Sequence, residues 1–279
     1  MSFTAKARLA GVLGWPVGHS RSPRLHNYWL KNLGIDGVYV PLAVAPENLA
    51  QVVKALPHMG FKGANLTVPH KEAVFGLVDH VDPVAERIGA INTLVIDNAG
   101  RMTGRNTDGF GFIENLRQSA PHWRPQGTAV VLGAGGAARA VLVALQDAGV
   151  QKIRLINRSR SRAEALAEAI GGTIEVADWQ ARDESLADAG LLVNTTTLGM
   201  TGQPALDIAL DALPPDAVVN DIVYVPLETP LLAQARRRGN SVVDGLGMLL
   251  WQAVPGFEAW FGQRPHVTPE LRAHVLSQS

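Results

Sequence analysis

The sequence contains no cysteine. Disulfides, thiol catalysis and cysteine-ligated metal are therefore excluded, and the composition suits a reducing compartment. Charge is sparse and balanced: 25 Lys and Arg face 25 Asp and Glu, and charged residues make up 18% of the 279-residue chain. A net charge of zero leaves no global field to draw in nucleic acid or an anionic membrane. The run Arg236-Arg237-Arg238 is a short basic stretch near a helix end, where the dipole favours cations and water solvates them. Long apolar runs are missing too, since stretches such as 140–145 and 246–250 fall far short of the ~20 residues of a membrane span. The first eight residues lack the apolar core of a signal peptide. A soluble, cytoplasmic protein is expected, with neither membrane nor nucleic acid as partner.

Apolar residues make up 47% of the chain, too many for disorder, and at about 150 residues per domain the length suggests two domains. Short β-branched runs alternate with longer helical patterns, the signature of an α/β fold with parallel strands. Strands are expected over 9–13, 38–42 and 63–66, with helices over 22–33 and 46–56 between them. A hairpin follows, 92–96 with 101–104, around Asn98-Ala99-Gly100. After a turn-rich connection at 119–127 come strands over 129–132, 153–156, 191–193, 218–221 and 241–243, and helices over 137–148 and 162–169. Thr107-Asp108-Gly109 opens a helix leading into the second half, and Asp244-Gly245-Leu246-Gly247 is a second hinge before a helical tail. The expected domains are 1–107, completed by 245–279 packing back on it, and 108–244, with a cleft between the two.

Gly133-Ala134-Gly135-Gly136-Ala137-Ala138 satisfies G-x-G-x-x-A between an apolar strand and a helix. In that setting the pattern is a dinucleotide fingerprint, with a tight turn, close backbone approach to a pyrophosphate, and phosphate on the helix N-terminus. Sites for NAD usually carry a carboxylate roughly 20 residues further on. Here the next strand ends in Asn157-Arg158-Ser159-Arg160-Ser161-Arg162, with three arginines and no carboxylate. A 2′-phosphate suits such donors, so the cofactor expected is NADP. Two charge-assisted hydrogen bonds at roughly 1.5–3 kcal/mol each correspond to a preference of ~10²–10⁴-fold. Arg158 and Arg162, four residues apart, are the stronger candidates; Arg160 is out of phase and fits a solvated helix start. The fold class is accordingly α/β, an N-terminal, mainly parallel α/β substrate domain and a C-terminal Rossmann-like NADP-binding domain.

The first half carries polar clusters inside otherwise buried segments. Ser20 and Ser22 present hydroxyls from a loop at a helix start, although Ser22 before Pro23 also fits an N-cap. Asn65 and Thr67 alternate at a strand end and face the same way. Asn92-Thr93 and Asn106-Thr107-Asp108 add amides, hydroxyls and a carboxylate. Such a set suits a small polyhydroxylated ligand. Lysine is scarce, six against nineteen arginines, so Lys71 within this cluster stands out. A lysine exchanges a proton when its surroundings shift its pKa, which an arginine does not. Paired with Asp108 it would be favoured in its charged form, although spacing alone does not bring the two together. His19, His26 and His70 lie near these motifs without the spacing of a helical zinc site, and no metal is expected.

From Gly14 to about Gln252 the chain resembles the shikimate dehydrogenase family in an ordered series of motifs. These are Gly14-Trp15-Pro16 with His19-Ser20-Arg21-Ser22-Pro23, and Gly63-Ala64-Asn65-Leu66-Thr67-Val68-Pro69-His70-Lys71. Ala90-Ile91-Asn92-Thr93, Gly104-Arg105-Asn106-Thr107-Asp108-Gly109 and the glycine turn follow. Last come Asp221-Ile222-Val223-Tyr224 with Thr229-Pro230, and Asp244-Gly245-Leu246-Gly247 through Trp251-Gln252. The resemblance implies an NADP-dependent oxidoreductase that reduces 3-dehydroshikimate to shikimate in aromatic amino-acid biosynthesis. It implies Lys71 as catalytic acid/base with Asp108 as partner and ligand for substrate hydroxyls. Ser20, Ser22 and Tyr224 would hold the substrate carboxylate, and Thr67, Asn92 and Gln252 the ring hydroxyls, with Asn65 supporting. Gly133, Ala134, Gly135, Gly136 and Ala137 would cradle the pyrophosphate, Asn157, Arg158, Ser159 and Arg162 the adenosine ribose and 2′-phosphate, and Ile222 and Gly245 would border the nicotinamide. Thr195, where the family more usually has alanine, and Val225, where asparagine is common, depart from the pattern away from this chemistry.

Two other readings fit parts of the same pattern. A quinate/shikimate dehydrogenase of broader specificity shares most motifs, but goes with NAD, an acid near Asn157 and threonine at position 22. A non-catalytic NADP or metabolite sensor would be signalled by loss of Lys71 or Asp108, both of which are present. The expected partner is a small-molecule substrate, bound by a monomer or homodimer.

Overall fold

The computed structural model describes residues 3–277. Contacts divide the chain into two compact units: residues through Thr107 with those from Gln252 onward, and Asp108–Trp251.

The first unit is built on a six-stranded sheet of β1 (Arg8–Gly14), β2 (Gly37–Ala43), β3 (Phe61–Leu66), β4 (His80–Val81), β5 (Thr93–Ile96) and β6 (Met102–Arg105), in the order β2-β1-β3-β5-β6-β4. β1 runs parallel to β2 and β3, whereas the β5–β6 hairpin is antiparallel to β3 and within itself. Its helices include α1 (Ser22–Asn32), α2 (Leu49–Ala55), α3 (His70–Ala73) and α4 (Pro83–Ile88). The helix expected over 46–56 begins as a 3₁₀ turn at Pro46–Asn48, with Pro46 fixing φ at the entry, and continues as α2. Leu13, Val53, Leu56, Ala64, Leu66, Ile91 and Leu94 form a buried core on one side of the sheet.

The second unit holds a wholly parallel sheet of β7 (Thr128–Leu132), β8 (Lys152–Ile156), β9 (Ile174–Ala177), β10 (Ala189–Asn194), β11 (Val218–Asp221) and β12 (Ser241–Val243). The order β12-β11-β10-β7-β8-β9 is that of the doubly wound dinucleotide-binding fold, with its switch point between β7 and β10. The helices α5 (Asp108–Ser119), α6 (Gly136–Asp147), α7 (Arg160–Ile170) and α8 (Pro230–Arg238) complete it. Every residue of β7 is buried, as a central parallel strand covered on both faces requires.

α9 (Gly245–Phe261) carries the chain from the second unit into the first, where α10 (Pro269–Leu276) ends the fold. The sequence places the boundary at 244/245, and by contacts residues 245–251 of the same helix group with the second unit. The reason is packing: a side chain at Gly245 would strike the carbonyls of Ile222 and Val223, and one at Gly247 the Asn115 amide. These glycines permit close approach inside the second unit. Beyond them Phe257 and Trp260 pack among Trp29, Tyr39 and His26 of the first.

Candidate active site

In the first unit the chain leaves β1 through α1 to β2 on one side, then returns to β3 on the other. Loops at the carboxyl ends of strands flanking such a reversal are where open α/β sheets bind ligands. The β1 loop carries Ser20 and Ser22, and the β3 loop Thr67 and Lys71. The two are stitched together, with the Thr67 amide donating to the Leu13 carbonyl at 3.0 Å and Trp15 N–H to the Val68 carbonyl at 3.1 Å. Gly14 allows this approach, because a Cβ there would lie 2.5 Å from the Thr67 methyl. Both loops turn through cis prolyl peptides, Trp15–Pro16 and Val68–Pro69.

Ser22 is not the N-cap. That position falls to Arg21, no side chain caps α1, and Ser22 lies in the first turn with its N–H 3.3 Å from Ser20 Oγ. The helix begins one residue earlier than the Ser-Pro pattern suggests, with Pro23 at its second position. The Ser22 hydroxyl is thus not committed to helix capping.

Asn92 is the centre of a buried polar network. Its Oδ1 accepts from the Thr107 amide at 2.9 Å and from Thr93 Oγ1 at 2.8 Å, and its Nδ2 lies 3.1 Å from Thr107 Oγ1 and 3.5 Å from Gln252 Oε1. Asn65 braces this network from below: Tyr39 donates to its Oδ1 at 2.6 Å, and its Nδ2 donates to the Asn92 carbonyl and Thr93 Oγ1, both at 3.1 Å. With both amide hydrogens engaged, Asn65 supports the site from within. Lys71 is half-buried in α3, and its carbonyl accepts from Ile91 N–H at 2.8 Å, which sets its turn beside Asn92. Next to it His70 is buried and donates from Nε2 to the Val44 carbonyl at 2.8 Å. His26 is fully buried and stacked on Tyr39 at 4.1 Å, neither ring nitrogen has a hydrogen-bond partner among the described residues, and burial pushes its pKa down to about 3. It is a neutral packing residue. Asp108, Ile222, Tyr224 and Gly245 belong to the second unit, where Asp108 opens α5 and Tyr224 follows β11.

In the second unit the glycine turn leaves β7 at the switch point. Gly133 has φ +106°, its N–H donates to the Ile156 carbonyl at 2.8 Å, and a Cβ on it would lie 2.7 Å from Thr195 Oγ1. Gly135 and Gly136 are exposed with open space above their Cα atoms, and no side chain caps α6. Ala134 and Ala137 flank them, half-buried. A bare, uncapped N-terminus of a 12-residue helix is the cradle a pyrophosphate requires. Thr195 contributes a bond to the Leu132 carbonyl at 2.7 Å, which fastens the strand end below the turn.

At the end of β8 the arginines sort themselves. Arg160 is held by Glu164 and Asp178, each at 2.8 Å. Arg158 and Arg162 are exposed, and among the described residues neither has an ion-pair partner. Asn157 donates to the Ser159 carbonyl at 2.9 Å, shaping the loop between them. This corner fits a 2′-phosphate.

One residue that sequence reasoning left without a role is Asp221. It is fully buried and accepts from Asn194 Nδ2 and Val223 N–H at 3.0 Å each and from Thr229 Oγ1 at 2.7 Å. Its signal in the sequence is a carboxylate ending an apolar strand, eight residues before a Thr-Pro helix start. Among the described residues no group of His, Asp or Glu is placed to hold a metal, and no helix is long and apolar enough to cross a membrane.

The strand order and glycine turn of the second unit define a dinucleotide-binding domain. Family models match along the chain: the shikimate dehydrogenase substrate binding domain over 12–94, shikimate / quinate 5-dehydrogenase over 117–200, and the shikimate 5′-dehydrogenase C-terminal domain over 245–269. Shikimate dehydrogenase (NADP(+)) of Paramagnetospirillum magneticum is 68% identical over 99% of this chain and 100% of its own. Among solved structures, shikimate 5-dehydrogenase from Thermus thermophilus in complex with NADP(H) and shikimate is 39% identical, with a TM-score of 0.85 over 96% of this chain and 98% of that one. Quinate dehydrogenase from Corynebacterium glutamicum in complex with NAD is 34% identical, with a TM-score of 0.91 over 98% and 99%. The chain belongs to the shikimate dehydrogenase family.

Proposed function

We propose that this protein catalyses the reversible, NADPH-dependent reduction of 3-dehydroshikimate to shikimate. Held by the second unit, NADPH would supply the hydride for the ring ketone. Lys71, protonated, gives the proton from Nζ to the developing alkoxide, and takes it back from the hydroxyl in the reverse direction. Asp108 is its partner, favouring the ammonium form and holding a substrate hydroxyl. Ser20, Ser22 and Tyr224 bind the substrate carboxylate. Thr67, Asn92 and Gln252 bind the ring hydroxyls, with Asn65 bracing Asn92 from within.

On the cofactor side Gly133, Ala134, Gly135, Gly136 and Ala137 hold the pyrophosphate. Asn157, Arg158, Ser159 and Arg162 take the adenosine ribose and 2′-phosphate, and Ile222 and Gly245 border the nicotinamide. The substrate domain is the first unit and the NADP domain the second. The lack of cysteine suits a cytoplasmic enzyme, acting as monomer or homodimer.

The observation that carries this reading is the buried Asn92 network, whose amide nitrogen meets Gln252 and Thr107 while the neighbouring Ile91 anchors the Lys71 turn. A steady-state assay offering shikimate and quinate, each with NADP⁺ and NAD⁺, tests it. Strong turnover with shikimate and NADP⁺ alone is expected. Comparable turnover with quinate or NAD⁺ would make the enzyme a quinate/shikimate dehydrogenase of broader specificity, and no turnover in any combination would refute the reading.

A further inference from the structure

We infer that the buried carboxylate of Asp221 is a positioning residue for Tyr224, holding the 222–229 loop so that the tyrosine is presented to the substrate carboxylate. The inference rests on the role proposed above for Tyr224 and extends it to a residue that does not itself touch substrate.

Asp221 ends β11 with no exposed surface. Among the described residues no cation pairs with it, so the protein buries a carboxylate without a countercharge, which is costly unless its lone pairs are well satisfied. Burial raises its pKa, and the hydrogen bonds from Thr229, Val223 and Asn194 pull the other way. Those three donors come from three places: Asn194 at the end of β10, Val223 near the start of the loop, and Thr229 at its end. Thr229 is also the N-cap of α8, accepting from Leu232 N–H at 3.3 Å. One carboxylate therefore closes the loop on itself and fastens it to the neighbouring strand.

Tyr224 sits where this matters most. The residue before it, Val223, is held by Asp221. The residue after it, Val225, is held through its carbonyl by Thr201 N–H at 2.8 Å. Ile222 is fixed independently, its N–H donating to the Asn194 carbonyl at 3.1 Å. Tyr224 is thus bracketed on both sides, and Asp221 supplies the bracket nearer the sheet together with the anchor at the loop's far end. A structural filler at position 221 could be apolar, like Val218 and Val219 of the same strand. A carboxylate there is explained by the need to gather three donors onto one point.

The test compares Asp221→Asn, Tyr224→Phe and the double variant by steady-state kinetics with shikimate and NADP⁺, alongside thermal unfolding. Asp221→Asn keeps the shape and one acceptor oxygen but loses the acceptor facing Thr229. It is expected to leave the melting temperature unchanged or higher, to raise the KM for shikimate about tenfold, and to leave the KM for NADP⁺ unchanged. In the Tyr224→Phe background the same change is expected to add nothing to the KM for shikimate, since its effect travels through the tyrosine. Wild-type KM in Asp221→Asn, or a KM effect that simply adds to that of Tyr224→Phe, overturns the inference alone. Wild-type KM in Tyr224→Phe overturns the role given to Tyr224 and the inference with it. Should Asp221→Asn not fold, Thr229→Val removes the same hydrogen bond from the other side; it also removes the α8 cap, so a lower melting temperature is expected with the same rise in the KM for shikimate and the same unchanged KM for NADP⁺.

Discussion

Replacing Arg158 or Arg162 with alanine tests the contacts proposed to the cofactor's 2′-phosphate separately from everything else the protein does. Neither side chain has an ion-pair partner among the described residues, and both are exposed, so removing either leaves no orphaned carboxylate behind. The loss should therefore appear in binding and not in stability. A charge-assisted hydrogen bond contributes roughly 1.5–3 kcal/mol, so each variant should raise the KM for NADP⁺ by ~10–100-fold. The KM for NAD⁺, which lacks the phosphate, should stay where it is. Arg160→Ala is the internal control, because Arg160 is engaged by Glu164 and Asp178 on an exposed surface. It should change the KM for NADP⁺ less than about threefold, as exposed ion pairs contribute little. The assay is steady-state absorbance at fixed, saturating shikimate, with thermal melts of each variant. An Arg160→Ala effect as large as that of Arg158→Ala, or equal losses toward NAD⁺ and NADP⁺, would refute the reasoning.

Three further outcomes are expected. Gly133→Ala forces a side chain into a φ of +106° and to 2.7 Å from Thr195 Oγ1. That is strain of order 1–3 kcal/mol, which thermal unfolding should register as a fall of about 3–10 °C together with weaker NADP⁺ binding. His26, with its pKa lowered from 6.5 to about 3, is bound by protons more readily in the unfolded chain between those values. Its contribution is complete above pH 6.5 and declines as pH falls toward 3, by ~1.4 kcal/mol per pH unit. Urea midpoints taken from pH 7 to 4.5 should show this slope, flattened in His26→Phe. Asp188, held down to about 2 chiefly by Arg154, stabilises fully above the ordinary carboxylate value and loses its effect as pH falls through 2. Its side chain is half exposed, so Asp188→Asn should flatten the acid limb only slightly, in a window below that of His26.

The second unit is the more legible half of the sequence. Its central strands are buried on both faces, and such strands stand out as unbroken apolar runs; β7 with its glycine turn is the clearest case. β9 is harder to see because it lies at the sheet edge and is mostly half-exposed. α4 is six residues long, too short for a periodic pattern, although its terminal signals are all present: Asp82 caps Val84 N–H, Pro83 follows, and Gly89 closes it in the left-handed conformation. The glycines at 245 and 247 look like a hinge in sequence and turn out to be places of close packing, because a glycine permits either and only the neighbours decide.

The candidate site was legible as residue types and not as a network. Ser20, Thr67, Lys71 and Asn92 are conspicuous as polar groups among buried segments. That Asn65 is braced by Tyr39 and in turn braces Asn92 depends on partners 26 and 27 residues apart, which no local pattern specifies. Asp221 is similar. Its motif is visible, but its purpose emerges only when Asn194, Val223 and Thr229 converge on it.

Lys71 is the group proposed to move the proton. The most direct measurement is the turnover of Lys71→Ala with shikimate and NADP⁺, its folding checked by thermal unfolding. General acid–base catalysis of this kind contributes 10²–10⁴-fold, so kcat should fall by about that factor while the KM for shikimate changes little. A variant that folds normally and keeps near-wild-type turnover would contradict the account.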